Sequence, residues 1–338
     1  MPIEKISVKQ TGPFIKENQT LLKGKDFTDI IPLTCKKSRI NMKIKGESPA
    51  VANAIRRTML EELEVKILTF DKDDMVTDDE YLIWNNVQTQ IKAMRIMQDT
   101  PDDARFYLDV TNKKALNQMI RASQIKRRGK GELPFNKTFR IITLRKGHYL
   151  NIKNIKVVKG FGFEDAMFSA TAGIAYRQTD TVPYERGTGV SSMVSECKNY
   201  ELDIDLNGNI DPRYLIEATL DNIKRRVKMF LDDMDAFEKL NKPGENYLSD
   251  ILEITFLEDI VTFKLKDETH TLANLIRYFV YQNDPDIPLV NYKIPHQTIR
   301  EAVVRISSKN PVANFSKALD SAYKKFEKLE ENVQGLKF

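Results

Sequence analysis

Cysteine and histidine are scarce in this 338-residue chain, with two of the first and three of the second. Cys35 and Cys197 build no disulfide framework and suit a reducing compartment. Even with His148, His270 and His296 they leave little for a structural zinc, which wants four ligands at close spacing. No nucleophile–base set is visible around the histidines. Apolar runs are short as well. None approaches the roughly 20 residues that span a bilayer, and the opening "MPIEKISVKQTGPF" lacks the apolar centre of a signal peptide. What the chain has in quantity is charge. With 30% charged and 41% hydrophobic residues it reads as soluble and globular, and its length predicts two or three domains.

The charge is unevenly placed. Between Lys113 and Lys159 stand 14 Lys/Arg and one acid, Glu132, so this stretch carries +13 and the rest of the chain −8. Its densest part, "IKRRGKGELP", reads as a loop. A solvated basic loop is the ordinary expectation for such a run, and a contact to nucleic acid or to an acidic surface the sharper one.

The chain also repeats itself. "RINMKIKGESPAVANAIRR" (39–57) lies without a gap on "IVTFKLKDETHTLANLIRY" (260–278) at a shift of 221, with identities at Lys43, Lys45, Glu47, Ala52, Asn53, Ile55 and Arg56. In both copies an alternating strand pattern runs into a helix start, Ser48-Pro49 in one and Thr269 in the other. Val51, Ile55 and Met59 share one helix face, as do Leu272, Ile276 and Phe279. Two long apolar seams follow. One runs through Ile216, Leu220, Ile223, Val227, Phe230 and Met234; the other runs from Phe315 through Phe326 and Leu329 to Leu336.

Such units cannot close a core alone, but two copies can bury each other's faces. The expected fold is therefore α+β, a pseudo-twofold dimer within one chain, with a mostly β insert in the first unit. The expected boundaries are 1–74 with 196–245 for the first unit, 75–195 for the insert and 246–338 for the second. "EKLNKPGENY" (238–247) is the expected hinge. Ile223, Val227, Phe326 and Leu329 join the six short-helix residues in the predicted internal core.

Three imitations of functional motifs fail on inspection. "DIDLNGNID" starts like a calcium loop, but Tyr214 stands where a bidentate Glu belongs, so strand, Asn-Gly turn and helix fit better. "GFGFED" begins a dinucleotide fingerprint, yet Asp165 replaces its third glycine. The acidic run "DKDDMVTDDE" (71–80) has no metal-specific spacing and reads as a solvated loop.

The chain resembles the assembly subunits of cellular DNA-dependent RNA polymerases: the bacterial alpha amino-terminal domain, the archaeal D and L subunits, and the third and eleventh subunits of eukaryotic RNA polymerase II. The first half is similar to the D-like partner through "SPAVANAIRRTMLEEL", "ITLRKGHYLNIKNIKVVKGFGFEDAMFSATAGIAYR" and "LDIDLNGNIDPRYLIEATLDNIKRR". The second is similar to the L-like partner through "DETHTLANLIRYFV", "LVNYKIPH" and "AVVRI". Together they cover most of 38–335.

The resemblance implies a fused D–L pair, as in polymerases of some large nucleocytoplasmic DNA viruses. It implies a non-catalytic platform, one copy per complex, on which the largest and second-largest subunits assemble, with small subunits joining and DNA met only indirectly. Arg56 and Arg57 would then face the second-largest subunit, with Asn53 fixing the local turn; Asn274 and Arg277 would face the largest. Arg145 and Lys146 are further implied subunit contacts. No cofactor is expected in this chain, since the catalytic magnesium belongs to the largest subunit, and no metal is expected in the cysteine-free insert. A viral chain would act in cytoplasmic factories and virions, a cellular one in the nucleus. Ala52 and Ala273 depart from the family's usual glycines, Asn291 from a common glycine and Asp165 from a histidine. Two other readings stay open: a nucleic-acid-binding accessory protein using 113–159, and an enzyme built on the insert.

Overall fold

The computed structural model describes residues 3–11, 37–179, 199–206, 210–240, 244–296 and 299–334. Cys35, Cys197, the Asn207-Gly208 turn, Leu336 and positions 241–243 of the expected hinge lie outside them. All strand pairs are antiparallel.

One sheet holds β1 (Ile3–Thr11), β2 (Lys37–Lys45), β11 (Asn199–Leu206) and β10 (Thr171–Gln178), in that order. A second holds β12 (Tyr247–Leu248), β13 (Leu252–Leu257), β14 (Ile260–Lys266), β16 (Glu301–Ser307) and β15 (Leu289–Lys293). Apart from short β12, the two sheets share one plan. In each, the repeated strand (β2 or β14) is second in order and leads directly into a short helix, α1 (Pro49–Arg57) or α4 (His270–Asn283). The next strand over (β11 or β16) precedes a long helix, α3 (Pro212–Leu240) or α5 (Pro311–Gln334).

The alternation in the sequence explains the layering. Ile40, Met42 and Ile44 on β2, and Val261, Phe263 and Leu265 on β14, all point into one core, while Arg39, Asn41 and Lys43 face outward. Against these faces lie the seams of α3 and α5, whose helices pack on each other, as do α1 and α4. Phe263 and Phe315 stack with ring centroids 4.0 Å apart. All ten residues of the predicted internal core are buried in this one cluster: Val51, Ile55, Met59, Leu272, Ile276, Phe279, Ile223, Val227, Phe326 and Leu329.

The two short helices start differently. The Ser48 hydroxyl accepts from the Val51 amide at 3.2 Å, with Pro49 following, so α1 is capped as its sequence predicts. Thr269 occupies the cap position of α4 but makes no cap bond; its hydroxyl donates to Glu62 at 3.2 Å. Helix α1 also ends unusually, running straight into a π-helical turn at Thr58–Glu62.

A separate core lies under the third sheet, β3 (Glu64–Thr69), β9 (Tyr149–Phe161), β5 (Arg105–Thr111) and β7 (Ile125–Arg127), with β4 (Met75–Thr77) beside β9 and the pair β6 (Gln118–Arg121) and β8 (Arg140–Leu144) nearby. Helix α2 (Trp84–Ala93) contributes Val87 and Ile91 to it. The strands cross the expected boundaries at 75 and 195. β3 precedes 75 yet pairs with β9, and β10 lies within 75–195 yet pairs with β11 in the first sheet. The cause is β9, whose 13 residues extend past the insert core and bring β3 into register beside its far end.

Candidate functional site

The two Asn-Arg motifs build the same local device. On α1 the Arg56 Nε donates to the Asn53 side-chain oxygen at 3.0 Å; on α4 the Arg277 Nη2 donates to Asn274 at 3.1 Å. The three-residue spacing puts each pair on one helix face, and the amide holds the guanidinium in one orientation. Neither arginine has a carboxylate within ion-pair distance among the described residues. Arg277 is exposed and lies 5.9 Å from the Tyr292 ring centroid, and Tyr292 in turn meets His270 Nδ1 at 3.3 Å. Two motifs far apart in sequence, "LANLIRY" and "YKIPH", thus meet beside Arg277.

Arg57 does something else. Its Nε donates to the Thr271 hydroxyl on α4 at 3.0 Å, and its Nη2 meets Glu61 at 2.6 Å. It points from α1 across to α4 rather than lying free beside Arg56. Arg145 and Lys146 stand apart from both motifs, at the turn between β8 and β9 of the insert. Arg145 Nε donates to Asp79, whose side chain is 1% exposed, at 2.8 Å, and the guanidinium lies 4.2 Å from the Tyr81 ring centroid. Lys146 is exposed.

Beneath the arginine motifs is a buried charge cluster. Glu62, on the π turn, has a side chain only 3% exposed. It accepts from the Thr58, Thr269 and Thr271 hydroxyls at 3.1, 3.2 and 2.6 Å, and from Arg226 of α3. Arg226 also grips Glu268 with two parallel hydrogen bonds, one at 2.9 Å from Nε and one from Nη2. Burial by itself would raise the Glu62 carboxyl; Arg226 and the hydroxyl donors outweigh it and hold it below the ordinary 4.5. Arg226, despite its burial, is pushed further toward the charged form by Glu268 and Glu62.

The cluster has a counterpart. Glu47 and Glu268 coincide under the 221-residue shift, and Arg226 and Lys325 coincide when the α3 and α5 seams are aligned. Lys325 pairs with Glu47 at 2.6 Å, and the Glu47 side chain is again 3% exposed. Each unit's glutamate, at its strand-to-helix turn, therefore reaches the other unit's long helix. Sequence reasoning missed this cluster, although the Glu47/Glu268 identity in the repeat carried the signal. A charged residue kept in both copies of an otherwise apolar junction needs a buried partner.

The rejected motifs also have uses. A Cβ on Gly162 would meet Glu61 Cα and the Leu60 carbonyl oxygen at 3.0 Å, so glycine allows the "GFGF" loop to approach the π turn. Next to it Arg300, from the second unit, lies 3.7 Å from the Phe163 ring centroid. Asp165 accepts from the Met167 amide at 2.9 Å and pairs with Lys92 at 3.3 Å. Most of the acidic run 71–80 is exposed, as its sequence predicts, and Asp79 is the buried exception. Asp71 pairs with Lys156 where β3 lies on β9, and with β4 beside β9 Asp79 pairs with Arg145 while Asp78 lies 3.3 Å from His148 Nδ1. Ala52 and Ala273 are fully buried where α1 and α4 belong to one core. Among the described residues no three His, Cys, Asp or Glu side chains are grouped as metal ligands, and no helix is long and apolar enough to cross a membrane.

Acid should expose the Glu62 contribution. A carboxyl with a depressed folded pKa stabilises above its unfolded value, and that stability is lost as pH falls through the folded value. Glu47 acts oppositely, because burial raises it beyond what Lys325 offsets. Urea unfolding between pH 7 and pH 2 should therefore show wild type more stable than Glu62→Gln at neutral pH. The gap should begin to narrow near the ordinary carboxylate range, where the unfolded-state carboxyl takes up its proton, and close at lower pH once the folded Glu62 is protonated as well. A gap that persists unchanged to pH 2 would mean the Glu62 charge is not what stabilises the junction.

Residues 260–332 match the RNA polymerase Rpb3/Rpb11 dimerisation domain. The chain is 25% identical over 218 residues to a DNA-directed RNA polymerase RPB3-11 homolog of African swine fever virus (a Namibian warthog isolate), with 60% of each chain covered. It is 22% identical over 353 residues to the RPB3-11 homolog of a Kenyan pig isolate, covering 98% of this chain and 96% of that one. The chain thus spans 60% of the first relative's length and nearly all of the second's. Its second unit carries the Rpb3/Rpb11 dimerisation domain, and the chain is similar to fused, alpha-like RPB3-11 homologs of DNA-directed RNA polymerase from a large DNA virus.

Proposed function

We propose that the chain is a non-catalytic assembly platform, an internal dimer that nucleates association of the largest and second-largest polymerase subunits. The observation that carries this reading is the reciprocal pairing of Glu268 with Arg226 and Glu47 with Lys325, superposed on two sheets of one strand order. Each unit needs the other's long helix to neutralise its buried glutamate, so the two halves form one preassembled body.

On that body Arg56 and Arg277 are held by their asparagines without a carboxylate of their own among the described residues, an arrangement suited to carboxylates or carbonyls at an incoming interface. Arg56 with Asn53 would meet the second-largest subunit and Arg277 with Asn274 the largest. Arg57 would chiefly tie α1 to α4. The insert, with its separate core and the Arg145–Lys146 turn, would provide a further contact. A tagged copy expressed in its native setting should bring down two very large chains that carry the catalytic magnesium site. Recovery of the tagged chain without them, under conditions that preserve the polymerase, would contradict the platform role.

A further inference from the structure

We propose that the outward face of the insert sheet binds single-stranded nucleic acid. This goes beyond the platform role and stands on a different part of the molecule. On the β9–β5–β7 portion of the sheet, Phe106, Leu108, Ile125 and Ile152 turn into the insert core. The alternate positions face away from it: Arg105 and Tyr107 on β5, Lys126 on β7 with Arg128 just beyond, and Asn151 and Lys153 on β9.

The basic stretch of the sequence is thereby sorted. Lys156, Lys159 and Arg145 are consumed by Asp71, Asp102 and Asp79. Arg105, Lys126, Arg128 and Lys153 have no carboxylate partner among the described residues. Arg128 is fixed over the face by its Nη2 bond to the Lys153 carbonyl at 2.7 Å. Tyr107 is paired across the sheet with Lys126.

Charge alone would suit any polyanion, and the cleft decides between them. It is an open depression of about 240 Å3 lined by Tyr107, Asp109, Arg128, Asn151, Ile152 and Lys153. That is below the range of sites for whole drug-sized ligands and fits a flat ring laid on Tyr107. One of its lining groups, the exposed Asp109 carboxylate, is an open acceptor; the Asn151 side-chain oxygen beside it is buried and has no donor among the described residues. An acidic polypeptide offers carboxylates to the cations but no flat ring to lay on Tyr107. A nucleotide offers phosphate to the cations and a base amino group to the Asp109 carboxylate, with its π-face on the tyrosine. A duplex presents its phosphates but buries its base faces, so the single strand is the form this surface selects.

The test is fluorescence anisotropy of the purified full chain with a labelled mixed-sequence DNA strand, the same strand annealed to its complement, and labelled poly-glutamate. The single strand should bind most tightly. With about three phosphate contacts its affinity should fall about twentyfold between ~50 and ~200 mM salt. Tyr107→Ala should weaken it about tenfold while Tyr107→Phe retains it. Lys126→Glu/Arg128→Glu/Lys153→Glu should abolish it while the chain stays folded with a cooperative melt, since all three side chains are exposed and only Arg128 loses a bond, to the Lys153 carbonyl. Lys324→Glu/Lys328→Glu on α5 should leave it intact. Equal binding of duplex or poly-glutamate would overturn the proposal, as would affinity unchanged by the triple charge reversal or by Tyr107→Ala.

Discussion

Arg226→Ala should lower the unfolding free energy by about 3–5 kcal/mol, because it strands two buried carboxylates, Glu62 and Glu268, without their cation. The loss exceeds that of a surface ion pair, which is about 0–1 kcal/mol. Neutralising the partners as well, in Glu62→Gln/Arg226→Met/Glu268→Gln, should recover much of it, since removing a whole buried cluster costs less than breaking it. Chemical denaturation of wild type, Arg226→Met, Glu62→Gln/Glu268→Gln and the triple variant measures the coupling directly. The matching Lys325→Ala should cost less, because Lys325 is more exposed than Arg226 and meets one carboxylate rather than two. A loss under about 1 kcal/mol for Arg226→Ala would mean that the two glutamates reach water, and that the junction is held by its apolar seams alone.

Arg56→Ala and Arg277→Ala should leave the chain folded but weaken docking of the large subunits by about 2–5 kcal/mol each, the cost of leaving interface groups unpaired. Within this chain each arginine's side chain bonds only its own helix's asparagine among the hydrogen bonds described, so stability should change by under about 0.5 kcal/mol. Arg57→Ala belongs to a different class: it removes the bond to Thr271 and should shift the melting curve. Ile55→Ala, fully buried, should cost about 2–5 kcal/mol of stability. Melting curves and reconstitution with the second-largest or largest subunit separate these classes. If Arg56→Ala melts early while its docking is unaffected, the helix faces have been assigned the wrong way round.

The repeat, its strand-to-helix plan and both long seams were legible because they rest on periodicity, and Ile40, Met42, Ile44, Phe263 and Leu265 alternate without interruption. Insert boundaries were not, because "ILTF" and "TAGIAYR" read as strands without saying which sheet each would join. Pairing across a gap in sequence leaves no local signature. Arg56 and Arg57 look alike in a sequence, yet one turn of geometry sends Arg57 to Thr271 and leaves Arg56 on Asn53. The Glu62 cluster was hidden for a related reason. "TMLEEL" reads as an ordinary helix end, and only the π turn carries Glu62 inward to three hydroxyls and Arg226. The Asp71–Lys156 and Asp79–Arg145 pairs likewise arise from β3 and β4 lying along β9, contacts no spacing rule announces.

The claim that one chain supplies both halves of the dimer is tested most directly by the mass of the purified protein in solution. Because Glu47 and Glu268 are already neutralised within the chain, and both long seams are already buried, no second copy is needed to close the core. Light scattering on the eluting peak at micromolar concentration should give 39.0 kDa, one chain, at every loading. A stable species of twice that mass would contradict the account, since it would mean that the halves pair between chains rather than within one.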